Sequence, residues 1–460
     1  MTINAISSVQ DGLEKERNPF KGKSLQAVLF KFSAPAVIGI LVNAMYNVAD
    51  RAFIGHALGP DGIAGITVGF PLTIFVMACS IMFGVGGSVL FSINLGKKDY
   101  KKAERVMGNT VIALIVVISA LSIFWIFTMD FFLTLLGASE TVLPYARDYM
   151  KILLIGAPVQ AIGMGMNNYL RATGNPKMAM VTMIIGAIIN CILGPLFIFV
   201  FKWGMEGAAL GVIISQLVSA VWVMAHFVGK KAQYRLRLKC MKPDFKIIKS
   251  IMSIGSSQFI MNSASCVLNI VLNLTLVGYG GDLAISAMGI VTSVNTLLIM
   301  PVIGIAQGVQ PIIGYYYGAK YYARMLQFLK KAIVWSTAIT TASFILIMLF
   351  STYIVRIFNN DNQVLLDLSS YALRVFNIGV PLVGFQVIAS TFFQATAKPV
   401  KAIILTLARQ ILILLPLIIV LPAFMGLNGI FIASPVSDIT VFTLAFYFLR
   451  REVKKYIRTV

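Results

Sequence analysis

The chain spells out nearly the same sequence twice. Tyr149, Ile155-Gly156, Pro158 and Arg171-Ala172-Thr173-Gly174-Asn175-Pro176 recur as Tyr371, Ile378-Gly379, Pro381 and Gln394-Ala395-Thr396-Ala397-Lys398-Pro399. The offset is 222 or 223 residues, and it also pairs Gly86 with Gly308, Gly96 with Gly318, Gly204 with Gly426, Gly207 with Gly429 and Ser215 with Ser437. One such match could be chance, but a constant offset over half the chain implies two homologous halves. Doubled membrane bundles of this kind are a recurrent transporter plan.

Each half is too apolar for water. Hydrophobic residues make up 58% of the chain and charged residues only 12%, whereas a soluble surface needs roughly a quarter charged. A membrane span takes about 20 apolar residues, and twelve such stretches can be counted, six in each half. A backbone in lipid must satisfy its own hydrogen bonds, so these stretches are expected to be helices. The ten-residue alternation of a transmembrane barrel is not seen. The reading is an all-α membrane protein of twelve transmembrane helices in two homologous six-helix lobes. A cytoplasmic segment 1–24 precedes an N-terminal lobe 25–228. A connector 229–246 leads to a C-terminal lobe 247–449, and a tail 450–460 follows. With six spans per half the repeats are parallel, related by an axis along the membrane normal.

The net charge of +21 is explained by where the bases lie. Lys15, Arg17, Lys21, Lys23 and Lys31 stand near the start. Lys97, Lys98, Lys101, Lys102 and Arg105 form the first basic loop, and Arg450, Arg451, Lys454, Lys455 and Arg458 the tail. The connector is basic as well. Every second loop is basic and the opposite side is poor in Lys and Arg, which is the positive-inside pattern. It predicts a multi-pass protein of the plasma (inner) membrane with both termini cytoplasmic, in contact with membrane lipid and not with nucleic acid. Cys79, Cys191, Cys240 and Cys266 are scattered without metal-ligand or disulfide spacing. With no His-Glu-x-x-His motif or paired aspartates, an enzyme is not expected, and no cofactor is.

An ionised side chain within a span is costly and functional by default. Two acids fall plausibly inside spans, Asp50 and Asp438. Asp50 shares one helical stripe with Asn47 and Asn43. Its carboxylate could bind and release a proton, or hold Na+ among oxygen ligands. It could instead be a structural group paired with a neighbouring base or amide, and the adjacent Arg51 favours its charged form. Asp438, opposite Gln216 in the repeat, is expected to pair with Arg409 in the eleventh span. The many Met and Phe residues suit a soft, adaptable lining.

Several ordered motifs carry a resemblance. They are Asn47-Val-Ala-Asp50-Arg51-Ala-Phe-Ile-Gly55, then Gly84-Val-Gly-Gly87 followed by Leu95-Gly96-Lys97-Lys98-Asp99, then Arg171-Ala-Thr-Gly-Asn-Pro176, and Gly204-Met-Glu-Gly207. In order, spacing and recurrence they resemble the multidrug and toxic compound extrusion (MATE) family, over about 30–450. Within it the chain looks closest to the bacterial branch with a first-half acidic site. The resemblance implies a V-shaped molecule whose central cleft opens alternately to each side. It implies export of amphiphilic, often cationic drugs or toxins by antiport with H+ or Na+. It also implies an ion-coupling set of Asp50, Asn190 and either Asn167 or Asn168, which Asn47 joins from the stripe it shares with Asp50, with Na+ possible at Asp50 and Asn190. The acid common before the fifth-span proline is replaced by Gly194. Other branches use acids in the seventh and tenth spans. Those spans hold Gln258, Asn262 and Gln386 here, so they are read as substrate-cleft residues with Asn43, and no second-half ion site is expected. The protein is expected to act as a monomer. The alternative within the same superfamily is a lipid-linked saccharide flippase. That reading needs basic residues around a pyrophosphate, and only Arg171 and Arg409 come near it.

Overall fold

The computed structural model describes residues 19–20, 24–229, 232–358 and 362–458, and helices dominate them throughout. In chain order the helices are α1 (Leu25–Gly59), α2 (Gly62–Gly96), α3 (Tyr100–Leu135), α4 (Leu143–Ala172), α5 (Pro176–Val200) and α6 (Gly204–Val228). Then come α7 (Phe245–Gly318), α8 (Tyr322–Arg356), α9 (Gln363–Phe376), α10 (Val380–Ala395), α11 (Pro399–Met425) and α12 (Leu427–Ile457). Ten of these are long and apolar enough to cross a membrane, and the bent pair α9 and α10, meeting at 50°, forms an eleventh crossing. At 74 residues α7 would run roughly 110 Å if straight. It is broken at Gly281 and so supplies two crossings, which brings the described residues to the twelve read from the sequence.

The duplication extends to the backbone. Gly59 (φ 66, ψ −158) ends α1, and Gly281 (φ 59, ψ −156), 222 residues later, breaks α7. This left-handed region is open to glycine and strained for other residues. Lys98 and Lys320 both have φ 61 at the same offset. After α4, Gly174 N–H donates to Arg171 O and Asn175 N–H to Leu170 O. After α10, Ala397 N–H donates to Gln394 O and Lys398 N–H to Phe393 O. The two helix ends are one motif, but the first half closes it with Gly174 (φ 91) and the second with an exposed Ala397 (φ 52). A non-glycine residue there costs about 1–2 kcal/mol, partly offset by the unfolded-chain entropy of glycine. Ala397→Gly is therefore expected to raise stability by about 0.5–1 kcal/mol, and Gly174→Ala to lower it. Thermal unfolding of the purified protein in detergent measures both.

Two compact units result: one is Ile38–Phe259, and the other takes the chain up to Val37 together with Ile260–Val460. The lobe boundaries read at 25 and 247 mark the sequence repeat; the packing units are displaced from them by one helical segment. Small residues explain the displacement. In the first unit, a Cβ on Gly86 would fall on the Ile251 carbonyl and one on Gly255 on the Met82 carbonyl, so the start of α7 lies directly against α2. In the second unit, a Cβ on Gly308 would lie 2.9 Å from the Ser33 backbone, so the start of α1 lies against the second half of α7. By the repeat offset these are the same contact.

Within the first unit, α4 packs on α3 and α6, and Tyr169 on α4 meets the Thr110 hydroxyl on α3 at 2.6 Å. The connector is tied down as well. Asn109 accepts from the Asp244 N–H at 2.7 Å, and Arg105 reaches the Asp244 carboxylate at 3.1 Å. The second unit is centred on Leu276, Val291, Ile347, Leu373 and Phe431, from α7, α8, α9 and α12.

Candidate functional site

The first-half site forms where α1, α5 and α6 meet. Beyond Ile38, α1 packs on α5, with bare Gly39 against Met183. That register carries Asp50 to Asn190, and the Asn190 Nδ2 donates to Asp50 Oδ1 at 3.4 Å. Both side chains are enclosed, Asp50 at 9% and Asn190 at 2% exposure. Tyr46, one turn before Asp50, and Cys191 lie within electrostatic reach of the carboxylate. Helix α6 contributes Gly211, where a Cβ would lie 3.2 Å from Gly194 and 3.5 Å from Asn190 Oδ1. A Cβ on Gly194 would stand 4.0 Å from Asp50 Oδ1, so the position that lacks the family acid faces the carboxylate directly. Just beyond it Pro195 removes a backbone donor, and the helix widens into a π-helical stretch over Leu196–Val200. Single π turns in α-helices are often found at functional sites.

The polar inventory fits a proton or a small hard cation. Asn190 Oδ1 is buried and accepts no hydrogen bond from the described residues. A protonated carboxyl on Asp50 would supply a donor for such an acceptor, and Na+ would take both oxygens as ligands. The hydroxyls of Thr182 and Ser215 donate into their own helices, to Met178 O and Val212 O.

The other residues read as site candidates are placed differently. Asn47 donates to the Asn43 carbonyl at 2.7 Å and to its side-chain oxygen at 3.2 Å, so these two amides bond one another on the exposed side of α1. Asn168 donates to Met164 O and accepts from Arg171 at 2.7 Å, which commits it to the end of α4. Asn167 is buried, and its Oδ1 accepts no hydrogen bond from the described residues. Gln258 and Asn262 are half-buried on α7 and fall in different units. Gln386 is buried and donates to the Asp438 carbonyl at 2.7 Å. The side chain of Arg51, and Lys15, Arg17, Lys21 and Lys23, lie outside the described residues.

In the second unit, Arg409 Nε donates to Asp438 Oδ1 at 3.2 Å, the pairing expected of these two residues. The reading of single residues missed how many others join them. Gln410 donates to Ser265 Oγ at 2.8 Å and Ser437 to Arg409 O at 3.1 Å, so together with Gln386 on the Asp438 carbonyl four helices contribute to one polar cluster. Its only advance signal was the run of polar residues Arg409-Gln410 within an apolar span.

Comparison with known proteins agrees with this architecture. The MatE family model matches residues 35–196 and again 257–420, once in each repeat. The multidrug export protein MepA of Staphylococcus haemolyticus is 28% identical over 428 residues, covering 93% of this chain and 94% of that protein. MepA of Staphylococcus saprophyticus is 27% identical over 416 residues, covering 89% and 90%. Among solved structures, the outward-facing conformation of a multidrug resistance MATE family transporter of the MOP superfamily superposes with a TM-score of 0.90. It has 24% identity over 96% of this chain and 99% of that one. Matched in both of its repeats by one family model, the chain belongs to the MatE family of membrane proteins.

Proposed function

We propose that the protein is a secondary active exporter of amphiphilic, often cationic compounds, driven by antiport with H+ or Na+. The observation that carries this reading is the enclosed carboxylate of Asp50 facing Asn190 across two helices of the first repeat. An ionisable group held inside a span needs a function, and an amide oxygen beside it suits an ion that comes and goes. The names of the staphylococcal relatives support drugs as the cargo. In this reading Asp50 takes H+ or Na+ from one side and yields it on the other, while the opposite movement carries the drug outward. Reciprocal linkage makes each ligand favour the state that the other disfavours. The basic loops support a plasma-membrane protein with both termini in the cytoplasm; a monomer is the acting form in this proposal.

A flippase would require cations converging on a pyrophosphate. Arg171 donates to Asn168 and Arg409 to Asp438, so each guanidinium already holds a partner within its own unit. Cells expressing the protein are expected to retain severalfold less ethidium than cells without it. Equal retention, with the protein inserted in the membrane, would refute drug export and turn attention to lipid flipping.

A further inference from the structure

The two repeats treat their cations differently on the side away from the basic loops. In the first, Arg147 on α4 is neutralised by Asp130 on α3, with Nε and Nη2 donating to the two carboxylate oxygens at 2.8 and 2.7 Å. The repeat sets Thr352 opposite Asp130 and Ser369 opposite Arg147, so the second repeat has neither partner. A cation returns further along, as Arg374 on α9. Its Nε donates to Ser351 Oγ at 2.6 Å and its Nη2 to Thr352 Oγ1 at 3.4 Å. The position that holds the acid in the first repeat thus offers a hydroxyl, which accepts a hydrogen bond and leaves the charge uncancelled. Arg356 stands one turn beyond Thr352 on α8, with its guanidinium 5.9 Å from the centre of the Tyr353 ring. Among the described residues neither arginine meets a carboxylate. Asp367, the acid on the exposed face of α9, accepts from Gln363 at 3.1 Å, and Asp361 lies outside the described residues.

Both arginines sit at headgroup depth. Helix α8 begins at a basic end, with Arg324, Lys330 and Lys331. From Lys331 to Ser351 it rises about 30 Å at 1.5 Å per residue, the thickness of a bilayer's hydrocarbon core. Arg374, bonded to Ser351, is therefore level with the headgroups of the leaflet opposite the basic loops. Both arginines also point outward. Tyr371, Arg374 and Ile378 form one exposed stripe of α9, at i, i+3 and i+7, while Leu373 turns into the core of the unit. On α8 the exposed residues Leu349, Tyr353 and Arg356 share one face, at i, i+4 and i+7. That face passes from apolar to aromatic to cationic, the order in which a lipid passes from acyl chain to headgroup. Aromatic rings at this level are ordinary membrane anchors, but a pair of arginines without acids is not, because this side of the chain is otherwise poor in bases.

We propose that Arg374 and Arg356 hold the phosphate of a phospholipid with a net negative headgroup, such as phosphatidylglycerol, in the leaflet opposite the basic loops. The Nη1 group of Arg374 has no partner among the described residues, and a phosphate oxygen supplies one. Ser351 and Thr352 fix the plane of the guanidinium, so less freedom is lost when the lipid binds. Hydrogen bonds from guanidinium to phosphate are charge-assisted and among the stronger ones. A zwitterionic lipid brings an ammonium group of its own, which two uncancelled arginines repel. A lipid with a net negative charge brings none, and that difference sets the preference. The site belongs wholly to the second unit and takes a membrane component rather than an exported compound.

The test is native mass spectrometry of the purified protein in detergent, with phosphatidylglycerol or phosphatidylcholine of the same acyl chains. Wild type is expected to retain phosphatidylglycerol in preference. Arg374→Gln/Arg356→Gln should lower that preference about tenfold or more, since each base beside the headgroups contributes roughly fivefold. Thr352→Asp keeps both arginines and restores the ion pair of the first repeat. It should lower the preference about fivefold by cancelling the charge of Arg374, and because it adds a partner instead of removing one, it keeps the test valid if the double variant fails to fold. Lys101→Gln/Lys102→Gln removes as much charge from the first basic loop and should lower the preference less. An equal fall in that control, or no fall in Thr352→Asp, overturns the proposal. Glycerol 3-phosphate, which has the phosphate without acyl chains, should not displace the lipid at equal concentration; displacement would give the site to a soluble phosphate and overturn the lipid. No transport step enters, so the result stands apart from the outcome of the export experiments.

Discussion

Asp50→Asn is expected to leave a folded, inserted protein that no longer exports against a gradient. The amide replaces the carboxylate with little change in size, and the Asn190 Nδ2 retains an oxygen acceptor at 50. What is lost is the ability to carry a proton or to balance Na+. Coupling between two ligands is typically worth about 1–3 kcal/mol, a factor of ~5–150, so gradient-driven efflux should fall by about tenfold or more. Reconstituted vesicles under separate H+ and Na+ gradients measure this and identify the driving ion. Export equal to wild type under both gradients would remove Asp50 from the mechanism. The geometry also offers a rescue that a purely structural role would not show. Because a Cβ on Gly194 faces Asp50 Oδ1 at 4.0 Å, adding Gly194→Asp to Asp50→Asn returns a carboxylate to the same space from α5. The double variant is expected to regain part of the export lost in the single one.

Much of the fold can be read from the sequence because membrane helices advertise themselves by composition, and the duplication by its constant offset. The breaks at Gly59 and Gly281 carry a visible residue signal. The matching turns at Lys98 and Lys320 do not, since lysine gives no hint of a positive φ. The transfer of residues 25–37 to the second unit was hidden too. It depends on which small residues on α1, α2 and α7 meet, and spacing along one helix does not name the partner. Site residues follow the same division. Asp438 could be matched to Arg409 because a buried acid needs a cation and one arginine lay in the adjacent span. The meeting of Asp50 with Asn190 was suggested by family resemblance alone, as 140 residues separate them. Asn43 and Asn47 lie on one helical stripe with Asp50, yet they bond each other, because an i, i+4 amide pair is the nearer partner. The π-helical stretch of α11 leaves no compositional trace, so the convergence of Gln410, Ser265 and Gln386 around the ion pair becomes visible only in three dimensions.

Gly255→Leu is expected to abolish the folded state of the first unit. The start of α7 approaches α2 so closely that a Cβ on Gly255 would overlap the Met82 carbonyl, and the facing Gly86 has the same relation to Ile251 O. The obstacle in each case is backbone, so no change of side-chain rotamer can relieve it and the two helices would have to separate. Membrane helices associate largely through close van der Waals contact of small residues, and separation forfeits that contact along the whole seam. Overpacking a well-packed core costs about 1–3 kcal/mol and occasionally more; obstruction by backbone puts this variant at or beyond the upper end. The purified variant should lose its monodisperse peak in detergent and its cooperative thermal transition. Gly289→Leu supplies the control, because Gly289 lies in the same long helix with no neighbour within 4 Å of an added Cβ. A leucine there has room, and replacing a mid-helix glycine is expected to be neutral or to stabilise by up to about 1 kcal/mol. Equal stability of the two variants would show that the Gly86–Gly255 contact does not hold α7 to the first unit.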